Sequence, residues 1–167
     1  SGSIFEKLGD QHTHITFNNQ LTESEEENVL NYEYFYNGGG VAAADFNNDS
    51  LIDLFFTGNQ VPNKLYLNKG NLQFEDITST SFSPNTQIGQ WHTGATVVDI
   101  NQDGWQDIYV SLSANIDYPE KRRNKLFINQ KSKDIKFKEQ AKSYGLDLES
   151  FSTHSSFFDY DKDGDLD

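Results

Sequence analysis

Three nine-residue windows constrain this chain more than anything else in it. They are Asp45-Phe-Asn-Asn-Asp-Ser-Leu-Ile-Asp53, Asp99-Ile-Asn-Gln-Asp-Gly-Trp-Gln-Asp107 and Asp159-Tyr-Asp-Lys-Asp-Gly-Asp-Leu-Asp167. All read D-x-[DN]-x-D-[GS]-x-x-D, and their starts lie 54 and then 60 residues apart. Self-similarity at such a period marks a repeat architecture in which each copy is one supersecondary unit. The flanks repeat as well. Each window follows a short strand-like run: Val41–Ala44, Ala95–Val98 and Ser155–Phe158. The first two windows lead into Leu54–Thr57 and Ile108–Ser111, then into Asn63-Lys-Leu-Tyr-Leu-Asn68 and Asn124-Lys-Leu-Phe-Ile-Asn129, and then into 72–78 and 135–141.

Each unit therefore reads as four short strands, in the first unit near 41–45, 53–57, 64–68 and 72–77, with Gly, Asn and Asp in the gaps as hairpin turns require. A four-stranded unit of this length is a propeller blade. The expected fold is all-β: β-propeller blades of four antiparallel strands in an incomplete ring, since about two and a half blades are too few for the roughly 4–8 of a closed one. The chain divides into an N-terminal segment (1–37), a first blade repeat (38–90), a second (91–150) and the truncated start of a third (151–167). In the N-terminal segment, Thr13–Phe17 alternates as a strand does and is a candidate to pair with a last blade. Glu23–Glu27 reads as a solvated loop or helix start, and Gly38–Gly40 as a flexible lead-in to the first blade. The segment Ala114–Arg123, with Pro119, reads as an exposed insertion.

The windows carry the chemistry. Calcium takes 6–8 oxygen ligands in flexible geometry. Positions one, three, five and nine supply side-chain oxygens: Asp45, Asn47, Asp49 and Asp53; Asp99, Asn101, Asp103 and Asp107; Asp159, Asp161, Asp163 and Asp167. Position seven supplies a backbone carbonyl, from Leu51, Trp105 and Asp165. A small residue at position six permits the tight turn; Gly104 and Gly164 suit it, and Ser50 is expected to be strained there. An EF-hand is excluded, because position twelve, where that loop needs Glu, is Phe56 or Val110. Magnesium suits the pattern less well, since it demands tighter octahedral geometry. Metal-free Asx turns are the competing reading. They leave the clustered carboxylates repelling one another, which a cation relieves. The expected cofactor is Ca2+.

Composition narrows the function. The net charge is −13, from 26 acidic and 13 basic residues, and eleven of the acids lie in the three windows. Nucleic acid needs a basic footprint and is not an expected partner. No apolar run reaches the roughly 20 residues of a membrane span. Cysteine is absent, which rules out thiolate metal sites. Ser1-Gly2-Ser3 reads as a tag remnant or the start of a processed chain. His92 and His154 sit in different registers before their windows and read as surface or strand-end residues; Trp91 and Trp105 read as packing residues, with sugar stacking the alternative; Lys121-Arg122-Arg123 reads as solvated.

These windows and flanks resemble the FG-GAP/VCBS repeat family, known from the calcium-bearing blades of integrin α-subunit propellers. The likeness covers about residues 38–167. It implies that each window joins the first two strands of a blade and holds one calcium. Ile4–Leu8, Thr16–Asn19, Tyr36–Gly40 and Phe56–Gln60 also look like large secreted VCBS-repeat proteins of Bacteroidetes-type bacteria, often surface lipoproteins. The resemblance implies an extracellular or cell-surface location, including an outer-membrane lipoprotein. It implies a non-enzymatic scaffold that binds a protein or glycan. The alternatives are a propeller-based polysaccharide-active enzyme with its catalytic residues mostly elsewhere, and a subunit of an outer-membrane complex.

Overall fold

The computed structural model of the chain describes residues 4–83 and 90–167. Residues 1–3, which include the Ser-Gly-Ser opening, lie outside them. The core of the fold is a pair of four-stranded antiparallel sheets, each a simple meander. The first contains β1 (Val41–Ala44), β2 (Asp53–Phe56), β3 (Lys64–Asn68) and β4 (Phe74–Asp76). The second contains β5 (Trp91–Val98), β6 (Asp107–Ser113), β7 (Lys125–Asn129) and β8 (Phe137–Glu139). The register in both sheets is fixed by the same device. Ala44 faces Asp53 and Val98 faces Asp107, so in the first two windows the residue just before the window pairs with its last residue and the window closes a β-hairpin. These are propeller-like blades, and among the described residues they close no ring.

The two sheets pack face to face. Their shared core holds Ala42, Ala44, Phe46, Phe55 and Leu65 from the first and Ala95, Ile108, Val110, Leu112, Phe127 and Phe137 from the second. Phe82, from the short helix α2 (Thr78–Ser81) and its exit, stacks on Phe137 at 5.3 Å and meets Phe127 edge-on at 5.0 Å. The other face of the second sheet has its own apolar cluster of Val98, Tyr109, Leu126 and Ile128, covered by Phe157 and Leu166 of the third repeat. A strand buried on both faces loses the usual in–out alternation. All seven residues of β6 are buried, whereas β2 alternates.

Backbones come close where blade meets blade. A Cβ on Gly40 would lie 2.6 Å from the Ala95 amide nitrogen, and one on Gly94 would collide with the Thr153 carbonyl. Gly40 and Gly94 stand five residues before their windows, so the same seam recurs. Gly38–Gly40 is thus no flexible lead-in: the Gly40 N–H donates to Thr57 Oγ1 at 2.6 Å, and its carbonyl accepts the Thr57 N–H at 2.9 Å.

Several expectations from sequence change here. Thr13–Phe17 forms no ladder; helix α1 spans Asp10–Thr13 and ends on His14 in left-handed conformation, and the following residues alternate in exposure. They lie on the first sheet, where Phe17 stacks on Phe56 at 5.1 Å and the Thr16 N–H donates to the Tyr66 hydroxyl. Side-chain packing on a sheet face produces the same period of two as strand pairing. Ser155–Phe158 likewise has no strand partner among the described residues. The 114–123 segment is only partly exposed. Arg122 is buried, donates to the Asn115 and Ile116 carbonyls, and lies over the Phe151 ring, while Arg123 pairs with Asp147 and Glu149. Trp91, by contrast, packs as read from sequence: it is only 4% exposed and lies against Tyr32 and Phe35.

His92 lies at a strand end as read, but its surface reading is corrected: it is 0% exposed, and among the described residues neither ring nitrogen has a hydrogen-bond partner. Burial pushes its pKa down to about 4, with Lys125 adding to the effect. The folded value lies below the unfolded one, so its contribution to stability is complete above about 6.5 and is lost as pH falls towards 4. Replacing His92 with Leu is expected to flatten the acid dependence of unfolding across that window by on the order of 2–3 kcal/mol, measured by urea unfolding at a series of pH values. Gly94→Val is expected to destabilise the chain by about 1–3 kcal/mol through collision with the neighbouring backbone, read by the same unfolding experiment at pH 7.

Candidate metal centre

Each window folds its oxygen-bearing side chains back onto its own backbone, and the three do so alike. In the first, the Asp45 carboxylate accepts the N–H groups of Asp49 and Ser50 at 3.0 and 2.7 Å. Asp99 accepts those of Asp103 and Gly104 at 2.9 and 2.8 Å, and Asp159 accepts that of Gly164 at 3.2 Å. Position three caps position five: Asn47, Asn101 and Asp161 each accept the N–H two residues on, at 3.2 Å. Position five accepts the N–H of position seven, from Leu51, Trp105 and Asp165, at 2.8, 2.9 and 3.1 Å. Position nine returns to position two: Asp53, Asp107 and Asp167 accept the N–H groups of Phe46, Ile100 and Tyr160.

The curl that allows this needs left-handed backbone at positions four and six. Asn48, Gln102 and Lys162 have φ of 53°, 55° and 65°, and Ser50, Gly104 and Gly164 have 72°, 82° and 99°. Ser50 thus holds a conformation that disfavours side chains and that its glycine counterparts adopt freely.

The ninth position is the electrostatic centre of the first two loops. Asp53 and Asp107 are each 0% exposed, and no Lys or Arg reaches either within ion-pair distance among the described residues. Burial pushes both carboxyls up to about 6, with Asp49 and Asp45, or Asp103 and Asp99, adding to the rise. A buried acid facing two other acids is disfavoured unless a proton or a cation neutralises it. The donor set of carboxylate and carboxamide oxygens suits a hard divalent cation. In the third loop, one carboxylate oxygen each from Asp159, Asp161 and Asp167 lies within 4.8 Å of the others. That loop is exposed, and Asp165 is held above the ordinary range by the Asp163 carboxylate beside it. In the second loop, Lys131 pairs with Asp103 at 3.1 Å and holds that carboxyl down, against a partly offsetting burial effect.

Two functional residues outside the windows went unrecognised in sequence. Asn68 and Asn129, the last residues of β3 and β7, donate their N–H groups to Asp53 and Asp107 at 2.9 and 2.7 Å. Their side-chain amides donate to the position-eight carbonyls of Ile52 and Gln106. Asn129 also reaches the Phe46 carbonyl of the first loop at 2.8 Å. The signal was the repeated N-K-L-[YF]-[LI]-N, whose first asparagine accepts an N–H at the opposite blade end: Asn63 from Gly58 and Asn124 from Leu112. At that opposite end, two adjoining hollows of about 570 and 840 Å³ share Glu27, Trp91, Asn115 and Lys121.

Comparison with known proteins bears on the loops directly. Residues 45–110 match the FG-GAP-like repeat family. The matched FG-GAP-like stretch runs from the first residue of the first loop, through the second loop, into β6. Over 135 residues, 78% of this chain, it is 33% identical to cartilage acidic protein 1 of Mus musculus and 32% identical to that of Homo sapiens. It is 28% identical over 140 residues, 81% of the chain, to cartilage acidic protein 1 of Xenopus tropicalis. The alignments cover 20%, 19% and 21% of these relatives, so the chain spans about a fifth of their length.

Asn129→Ala is expected to destabilise the metal-free chain by about 1–3 kcal/mol, because it strips partners from carbonyls in the buried seam. Asn68→Ala, whose amide bond is exposed, is expected to cost less. Denaturant unfolding in chelator measures both.

Proposed function

We propose that this chain is part of a calcium-stabilised, β-propeller-like FG-GAP scaffold of an extracellular or cell-surface protein, which binds a protein or glycan partner and does not itself catalyse a reaction. One observation carries the calcium reading: the ninth-position acids Asp53 and Asp107 are buried against further acids without a cationic side chain, inside loops whose side-chain bonding is repeated three times. In this reading Asp45, Asn47, Asp49, Asp53 and the Leu51 carbonyl hold one ion. Asp99, Asn101, Asp103, Asp107 and the Trp105 carbonyl hold a second. Asp159, Asp161, Asp163, Asp167 and the Asp165 carbonyl hold a third. Calcium supplies positive charge at the ninth-position acids, which no Lys or Arg pairs with among the described residues, and ties the first two strands of each blade together. Lys131 leaves Asp103 when the ion binds.

The relatives are named cartilage acidic protein 1, and this chain is itself acidic, with a net charge of −13. No helix among the described residues is long and apolar enough to cross a membrane. The lipoprotein version of the reading rests on the opening segments' resemblance alone. The cleft at the opposite end from the loops, lined by amide, aromatic and charged side chains, supports a partner site away from the metal.

Binding only to the folded state adds about 2.7 kcal/mol per site at a hundredfold excess over Kd. Calcium at millimolar concentration is therefore expected to raise the melting temperature by several degrees, and excess chelator to reverse the rise. A melting curve indifferent to both would remove calcium from the function. Asp53→Asn and Asp107→Asn are each expected to reduce the calcium-dependent part of that rise.

A further inference from the structure

The loops are joined to one another by side chains that are not ligands. Asn48, at position four of the first loop, donates through Nδ2 to the Gly104 carbonyl of the second loop at 3.3 Å. Gln102, at position four of the second, donates through Nε2 to the Gly164 carbonyl of the third at 2.8 Å. Both acceptors occupy position six of the next loop. Gly104 and Gly164 are also the residues whose N–H groups hold the first carboxylates, Asp99 and Asp159. One bond therefore runs from a residue beside one ion-binding set to a residue that shapes the next, and it recurs at both junctions.

A second tie runs backwards across the first junction. Three successive carbonyls of the first loop are held by side chains of the second blade. Asn129 donates to Phe46 at 2.8 Å, and the Lys133 ammonium donates to Asn47 at 2.6 Å and to Asn48 at 2.8 Å. Lys133 also lies 5.7 Å from the centre of the Trp105 ring, in the second loop. The backbone of one loop cannot shift without disturbing the other.

We propose, resting on the calcium reading above, that the loops fill cooperatively and that the position-four amide is the coupling element. An ion that fixes the curl of one loop fixes Asn48 or Gln102 in its left-handed conformation and presents its amide to the next loop. The next loop then loses less conformational entropy when its own ion arrives. Such coupling is reciprocal, so filling the second loop strengthens the first by the same factor. The ions thereby act as a seam between neighbouring blades as well as a clasp within each.

The test is a double-mutant cycle on the 167-residue chain. Terbium emission excited through Trp105, with calcium as competitor, reads the affinity of the second loop. Asp49→Asn disables the first loop with little change of shape, and Asp45→Asn serves if that variant does not fold; circular dichroism in chelator checks each. With Asn48 present, disabling the first loop is expected to weaken calcium binding at the second by about fivefold or more. With Asn48→Ala, which removes no proposed ligand, the loss caused by the same disabling is expected to shrink by about twofold or more, with the remainder carried by Asn129 and Lys133. Calcium binding at the second loop that ignores the state of the first overturns the coupling and leaves the calcium reading standing. An equal loss with and without Asn48 overturns the role of that side chain. Failure of the parent chain to bind calcium at all overturns both.

Discussion

A buried carboxylate governs this molecule. Asp53 and Asp107 each sit at a point where three parts of a blade meet. Their oxygens bind the N–H at the start of the loop, Phe46 or Ile100, and the N–H at the end of the third strand, Asn68 or Asn129. One side chain thus sets the size of the loop, the register of the first hairpin and the position of the third strand. Two backbone donors do not neutralise it, and burial still drives its pKa upward. Such an acid takes up a proton or faces a positive charge. In the proposed function a cation fills that role, with the remaining loop oxygens as its ligands.

The second constraint is how closely blades approach. Sheets normally pack at about 10 Å with side chains between them. Here alanines and glycines on β1 and β5 bring backbones together, with Gly40 against Ala95 and Gly94 against Thr153. Threonines stitch the seam: Thr57 donates to the Thr93 carbonyl, and Thr93 and Thr96 donate to the Ser152 and Ser155 carbonyls. At the wider outer part, Phe46, Phe55, Phe82 and Phe137 fill the space. The same closeness at the loop end lets Asn48 and Gln102 span to the following loop.

Much of this is readable in one dimension. The loop spacing set the blade length, and the alternation of short strands with Asn and Gly turns set the meander. Both appear as β1–β4 and β5–β8, with strand bounds within a few residues of those read from sequence. The repeat also marked Asn63, Asn68, Asn124 and Asn129, although their role as end-pins appears only when strands are paired. Other readings failed for physical reasons. Thr13–Phe17 has a strand's period because alternate side chains touch a sheet face, and periodicity does not distinguish that from a ladder. Lys121-Arg122-Arg123 reads as solvated because charge favours water, yet Arg122 finds carbonyls and an aromatic ring inside the fold.

By itself, the sequence determined which residues carry oxygen, how many backbone steps separate them, and the period at which the arrangement returns. Those are properties of covalent order, and a hairpin loop is short enough for covalent order to control. Tertiary structure decided the rest: that Asp53 and Asp107 lie fully buried while the third loop is exposed, that His92 is buried, and that one loop's amide grips the next. Burial and contact across a blade junction depend on which surfaces the packing of two sheets removes from water. Residues some 60 positions apart become neighbours only through that packing.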